Sequence, residues 1–151
     1  MTEATQSPQT TARQVWIGLL ARARPDRVAA LLPDMPDHAV LRPAEVGAVM
    51  VRGRMGAVGA PFNLGEMSVT RCSVRLAEGT VGHGYVQGRD KDHARRAAVL
   101  DALMQTGQGP VVQADVLNVL AAEEAARRLA RAEKAAATKV DFFTLVRGED
   151  K

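Results

Sequence analysis

The sequence contains one cysteine, Cys72. That excludes an internal disulfide and a paired-thiol motif, and it makes a reducing cytoplasm the simplest expected location. Histidine is also scarce: His38, His83 and His93 are far apart and form neither HxxxH nor HxxE spacing. No metal site is expected from this chain alone. No apolar run approaches the roughly 18 to 20 residues that cross a bilayer, and the start, MTEATQSPQTTARQ, has no apolar signal core. Neither a membrane partner nor export is expected. There is no GxSxG elbow and no GxxxxGKS loop, and Ser68 and Ser73 lie in strand-like sequence. No catalytic residue is expected. One Trp, one Tyr and three Phe are the whole aromatic supply, and none is interleaved with the arginines. A nucleic-acid surface would lack its stacking groups, so nucleic acid is not expected as a partner.

What the chain does have is length for one core, 151 residues, and an arginine-heavy basic set of sixteen Arg to four Lys. Residues up to about Thr10 read as a disordered tail, and 11–151 as a single domain without internal repeats. The net charge is +3. The two ends are balanced in sign, and the excess falls between Arg42 and Arg96, nine basic residues against five acidic. Planar guanidinium groups pair with carboxylates and phosphates.

The periodicities indicate an α+β fold. TARQVWIGLLARA, residues 11–23, puts Trp16, Leu19, Leu20 and Ala23 on one helical face, and Pro25 starts a second short helix. Pro33 and Pro36 force a loop. Val40 and Leu41 suggest a short strand, interrupted at Arg42-Pro43, and Val46 to Arg54 another. MGAVGAPFNLGE is too glycine-rich to expect regular structure. Met67 to Leu76 alternates, with Thr70, Cys72, Val74 and Leu76 on one face; Ala77-Glu78-Gly79 turns the chain, and Thr80 to Gly88 returns as the partner strand. After GQGPVVQA, read as a linker, a long alanine-rich helix begins at Asp115. Its stripe of Val119, Ala122, Ala126 and Leu129 buries little and suits packing along a partner. Phe142 and Phe143 near the end either close the core or anchor another protein.

GRDKDHARRAAVLDALMQ, residues 88–105, is dense in charge. Asp90 is explained as a helix cap and Asp92 as a dipole partner, with Ala97, Leu100, Leu103 and Met104 forming the apolar stripe and Arg95 and Arg96 on the exposed side. His93 reads as a structural residue, with a ligand or acid–base role as the alternative. Gly53, Gly56 and Gly59, flanked by Arg52 and Arg54, read as a wide loop, with anion contact as the alternative.

Three blocks taken together carry a resemblance: RMGAVGAPFNLGEMSVTRCSVRL (54–76), GHGYVQGRDKDHARRAAVLDALMQ (82–105) and KVDFFTLVRGED (139–150). With LRPAEVGAVMVRG and the first helix, they resemble the PhnG family, the G subunit of the bacterial carbon–phosphorus lyase machinery. The resemblance implies a cytoplasmic, hetero-oligomeric core complex with H, I and J subunits, two copies of each, with I the most direct partner. It implies an auxiliary role in displacing adenine from ATP with a phosphonate, giving a ribose 1-phosphonate 5-triphosphate. ATP and phosphonate would be substrates of the assembly, with no cofactor bound by this chain. Arg52, Arg54, Arg89 and His93 are candidate contacts to substrate or partner; Phe142, Phe143 and Arg147 are candidates for a docking tail. Two rivals remain at this level: a self-sufficient enzyme using His93 with Asp90, and a small nucleic-acid-binding domain.

Overall fold

A computed structural model describes residues 8–138. Helix α1 runs Pro8–Arg22 and α2 Pro25–Leu31. The strands are β1 (His38–Arg54), β2 (Pro61–Leu76) and β3 (Val81–Gln87), followed by α3 (Lys91–Leu103). A short α4 (Gly109–Val112) continues through a π-helical stretch, Gln113–Leu117, into α5 (Asn118–Ala136). The α+β class is as expected. Helix α1 begins at Pro8 rather than Thr11, and residues 1–7 lie outside the described residues.

The sheet is an antiparallel meander in the order β1-β2-β3. Two sequence expectations are corrected here. Pro43 does not divide the first strand: β1 is an edge strand, so a residue without an N–H is tolerated, and register shifts flank the position between Val40 and Glu45. The glycine-rich segment is irregular only as far as Ala60. A tight turn at Met55–Ala57, with Gly56 at φ +56°, reverses the chain, and Pro61 onward rejoins the ladder as β2. The turn is closed by Gly59 N–H donating to the Met55 carbonyl at 2.8 Å and Arg54 Nη1 donating to the Gly59 carbonyl at 3.1 Å.

The β1–β2 ladder therefore outruns β3. Strand β3 pairs only with Val69 to Arg75, whereas β1 continues to pair with β2 as far as Arg54 and Pro61. Beyond Val69 the hairpin is a two-stranded arm with exposed Met50, Phe62 and Leu64, and with Met55 and Val58 at its tip.

Helix α3 is the centre of the core. His93, Ala94 and every residue from Ala97 to Leu103 are buried. Its alanines press on β3 at Gly82 and Gly84, where any Cβ would collide with the carbonyl oxygens of Ala98 and Ala94. Cys72, Val74 and Leu76 of β2, with Leu20, Val28, Val112, Val116, Leu117 and Leu120, complete the core. The inward face expected for β2 is thus the observed one. Arg95 and Arg96 do not lie on an exposed side of α3, because that helix is wrapped from several directions. They are half-buried: Arg95 Nε donates to His38 Nε2 at 2.8 Å and Arg96 Nε to the Leu32 carbonyl at 3.2 Å.

GQGPVVQA is helical from Gly109 rather than a linker throughout, since Pro110 sits in the first turn, where its missing N–H costs nothing. The face of the long helix that packs inward is Val112, Val116, Leu117 and Leu120, not the expected stripe: Ala122, Ala126 and Leu129 are exposed. From Ala125 onward α5 is exposed all round. Among the described residues, no helix is long and apolar enough to cross a membrane.

Candidate functional site

The strongest polar constellation centres on Asp101, an acid inside the apolar run AAVLDALM. Its side chain is fully buried, and it accepts four hydrogen bonds. Arg13 donates twice, Nε to Oδ1 at 3.1 Å and Nη2 to Oδ2 at 2.6 Å; Trp16 Nε1 donates to Oδ1 at 2.9 Å, and the His83 main-chain N–H to Oδ2 at 2.8 Å. One carboxylate thereby ties α1 and β3 to α3. Gln105, one turn on, donates to the carbonyls of Val81 and Asp101 at 3.0 and 2.9 Å. Sequence reasoning missed this knot, although its signal was present: a charged residue in a helical stretch buried all round has to find partners.

Close by, Ser73 Oγ and His83 Nδ1 are 2.9 Å apart on the outer face of the sheet. This has the look of a nucleophile with its base. The nearby Asp101, however, binds the amide of His83 and not its ring, and its oxygens are occupied by four donors. The imidazole receives no orientation from that carboxylate, which the triad logic requires.

His93 is 2% exposed, and its Nε2 donates to the Leu20 carbonyl at 3.0 Å. Its Nδ1 is buried without a partner, and burial lowers its pKa from the ordinary 6.5, so the ring is held neutral. Asp90 caps α3 by accepting from the His93 main-chain N–H at 2.8 Å. The thiol of Cys72 is buried against the Arg42 carbonyl at 3.4 Å, and burial pushes its pKa up. His38 donates from Nδ1 to the Pro36 carbonyl at 2.7 Å, which leaves Nε2 to accept from Arg95. No group of three or more His, Cys, Asp or Glu able to hold a metal ion occurs among the described residues.

The other sequence candidates do not converge. Arg52 is exposed along the arm, and Arg54 is engaged at its tip. Arg89 is exposed just before α3, with Nε 3.3 Å from Ser68 Oγ. Phe142, Phe143 and Arg147 lie outside the described residues. What the fold does bring together is a cleft lined by Arg22, Gln87, Glu124, Arg127, Arg128 and Arg131. Here Arg22 clamps Glu124, Nε donating to Oε1 at 2.7 Å and Nη2 to Oε2 at 3.3 Å, which raises the guanidinium pKa and lowers that of the carboxyl. Sequence reasoning missed the cleft, because its residues come from three separated segments.

Comparison with known proteins adds a family. The model for "Phosphonate metabolism protein PhnG" matches residues 11–148. A protein of Rhizobium meliloti (strain 1021), named alpha-D-ribose 1-methylphosphonate 5-triphosphate synthase subunit PhnG, is 45% identical over 141 residues. The alignment covers 91% of this chain and 90% of that relative.

Proposed function

This chain belongs to the PhnG family of phosphonate metabolism proteins, and from that premise we propose that it is an auxiliary subunit of an alpha-D-ribose 1-methylphosphonate 5-triphosphate synthase. The observation that carries the proposal is the end-to-end likeness to a relative bearing that name, 45% identity across nine-tenths of both chains. In this reading the assembled complex, a transferase, displaces adenine from ATP with a phosphonate in the cytoplasm. The partners are the H, I and J subunits, two copies of each, and this chain orders the I subunit and its substrate cleft. ATP and phosphonate belong to the assembly, and this chain binds no cofactor of its own.

Two features of the chain support an auxiliary role. Asp101 and His93, the acid and base of greatest interest, are committed to holding the fold. The arm, meanwhile, leaves Met50, Met55, Val58, Phe62 and Leu64 uncovered in the lone chain, as expected of a surface completed by another subunit. Docking through Phe142, Phe143 and Arg147 is part of the same proposal.

The test is reconstitution with ATP and methylphosphonate, following adenine release. The chain alone is expected to release none, and the remaining subunits to release adenine only when it is supplied. Turnover by the isolated chain would overturn the auxiliary role. Full activity of the other subunits without it would overturn the assignment altogether.

A further inference from the structure

The inward stripe of α5 changes character along its length. Up to Leu120 it is apolar and buried; one turn later it carries Glu123 and Glu124, which pair with Arg27 and Arg22. At 100° per residue, Arg127 and Arg131 fall on the same stripe as Leu120 and Glu124, with Arg128 at its edge. The opposite face holds Ala122, Ala125, Ala126, Leu129 and Ala132. Here the arginines face the body of the protein, across a cleft whose far wall is Arg22 and Gln87.

The local charge is lopsided. The lining residues are four arginines and one glutamate, an excess as large as the net +3 of the whole chain. Glu124 is already held by Arg22; Arg127 and Arg128 lie close enough to Glu123 and Glu124 to favour their charged forms, but Arg127, Arg128 and Arg131 form no direct ion pair among the described residues. Like charges three and four residues apart on a helix repel. An anion bridging them relieves that repulsion and gains charge-assisted hydrogen bonds. The cleft, about 320 Å³, is at the small end for a ligand site. Arg127 and Arg131 are separated by about 6 Å along the helix axis and are neighbours on its surface. A chain of phosphates can engage more of the four guanidinium groups at once than a single phosphate can.

We propose that the cleft between α1, the end of β3 and α5 binds an oligophosphate chain, either free or as part of a nucleoside triphosphate. The inference rests on the cleft alone and not on the subunit assignment, and its test reads binding, not synthesis. Inorganic tripolyphosphate, ATP and orthophosphate are titrated calorimetrically into the purified full-length chain and into Arg127→Ala/Arg131→Ala. Both positions are exposed and alanine favours helix, so the variant is expected to keep its melting temperature. Tripolyphosphate and ATP should bind saturably, at least tenfold tighter than orthophosphate, and lose at least tenfold in the variant. Equal affinity for the two identifies the phosphate chain as the ligand; tighter ATP identifies a nucleotide, and either result supports the site. Absence of saturable binding, equal affinity for orthophosphate, or an unchanged affinity in the variant would overturn it. So would a wild-type chain that ignores tripolyphosphate while the variant fails to copurify with partner proteins, which would make the cleft a seat for an acidic protein segment.

Discussion

Asp101 and His93 show how single residues of this chain are committed to the fold rather than to chemistry. A buried carboxylate is tolerable only while its donors remain, and Asp101 has four. Asp101→Asn keeps the shape but turns an amide donor toward groups that also donate. Because the Arg13 side chain is 32% exposed, the expected loss is set low, about 2–3 kcal/mol in urea unfolding. A loss below about 0.5 kcal/mol, the scale of an ordinary surface change, would show that the knot is not a keystone. His93 makes a prediction about pH. Its folded pKa lies below the unfolded value of 6.5, so the unfolded chain takes up a proton first as pH falls. Its contribution to stability is complete above pH 6.5 and declines below it, by up to about 1.4 kcal/mol per pH unit, until the folded pKa is reached. His93→Gln, whose amide can still donate to the Leu20 carbonyl, should flatten that part of the profile between pH 5 and 7. Superimposable profiles would remove His93 from the account.

At the level of elements, the contact between α3 and β3 depends on two missing side chains. Gly84→Ala places a Cβ against the Ala94 carbonyl, and backbone on both sides leaves nothing flexible to yield. The expected cost is about 3 kcal/mol, the upper end for overpacking. Gly107→Ala, where a Cβ meets nothing within 4 Å, should be near neutral in the same chevron or urea series. Equal effects would mean that α3 can lift from the sheet freely. The arm is the opposite kind of element. A two-stranded ribbon is marginal by itself, so its order as a free hairpin owes much to the three-stranded part from which it extends.

For the molecule as a whole, the arm is expected to matter in assembly more than in folding. Met50→Lys, opposite Glu66 in the ladder, with Leu64→Glu changes two exposed side chains, so the unfolding free energy of the isolated chain should move by no more than about 0.5 kcal/mol per site. Under the proposed function, the same variant should no longer copurify with the I subunit. Stoichiometric recovery would leave docking to the segment containing Phe142 and Phe143. A melting temperature far below that of the wild type would show that the arm belongs to the core instead.

Much of the architecture was legible because it depends on local rules. Asp90 is a cap, Pro25 a first-turn residue, and the alternation from Thr70 to Leu76 a buried face, whichever neighbours surround them. The failures share one cause. Pro43 is acceptable because β1 is an edge strand, the glycine-rich segment is a hairpin tip because two strands meet across it, and the chain is helical from Gly109 because Val112 and Val116 find a core. Periodicity likewise misplaced the stripe of α5, since the residues that anchor this helix, Val112 to Leu120, precede its alanine-rich turns, which pack on nothing among the described residues. By itself the sequence determined most of the element types, most of the inward face of the sheet and, through its blocks of residues, the family. Only the tertiary structure decided which side of α5 turns inward, which carboxylate is buried and where four arginines gather. Those outcomes are set by contacts between segments far apart in the chain, and no local pattern encodes them.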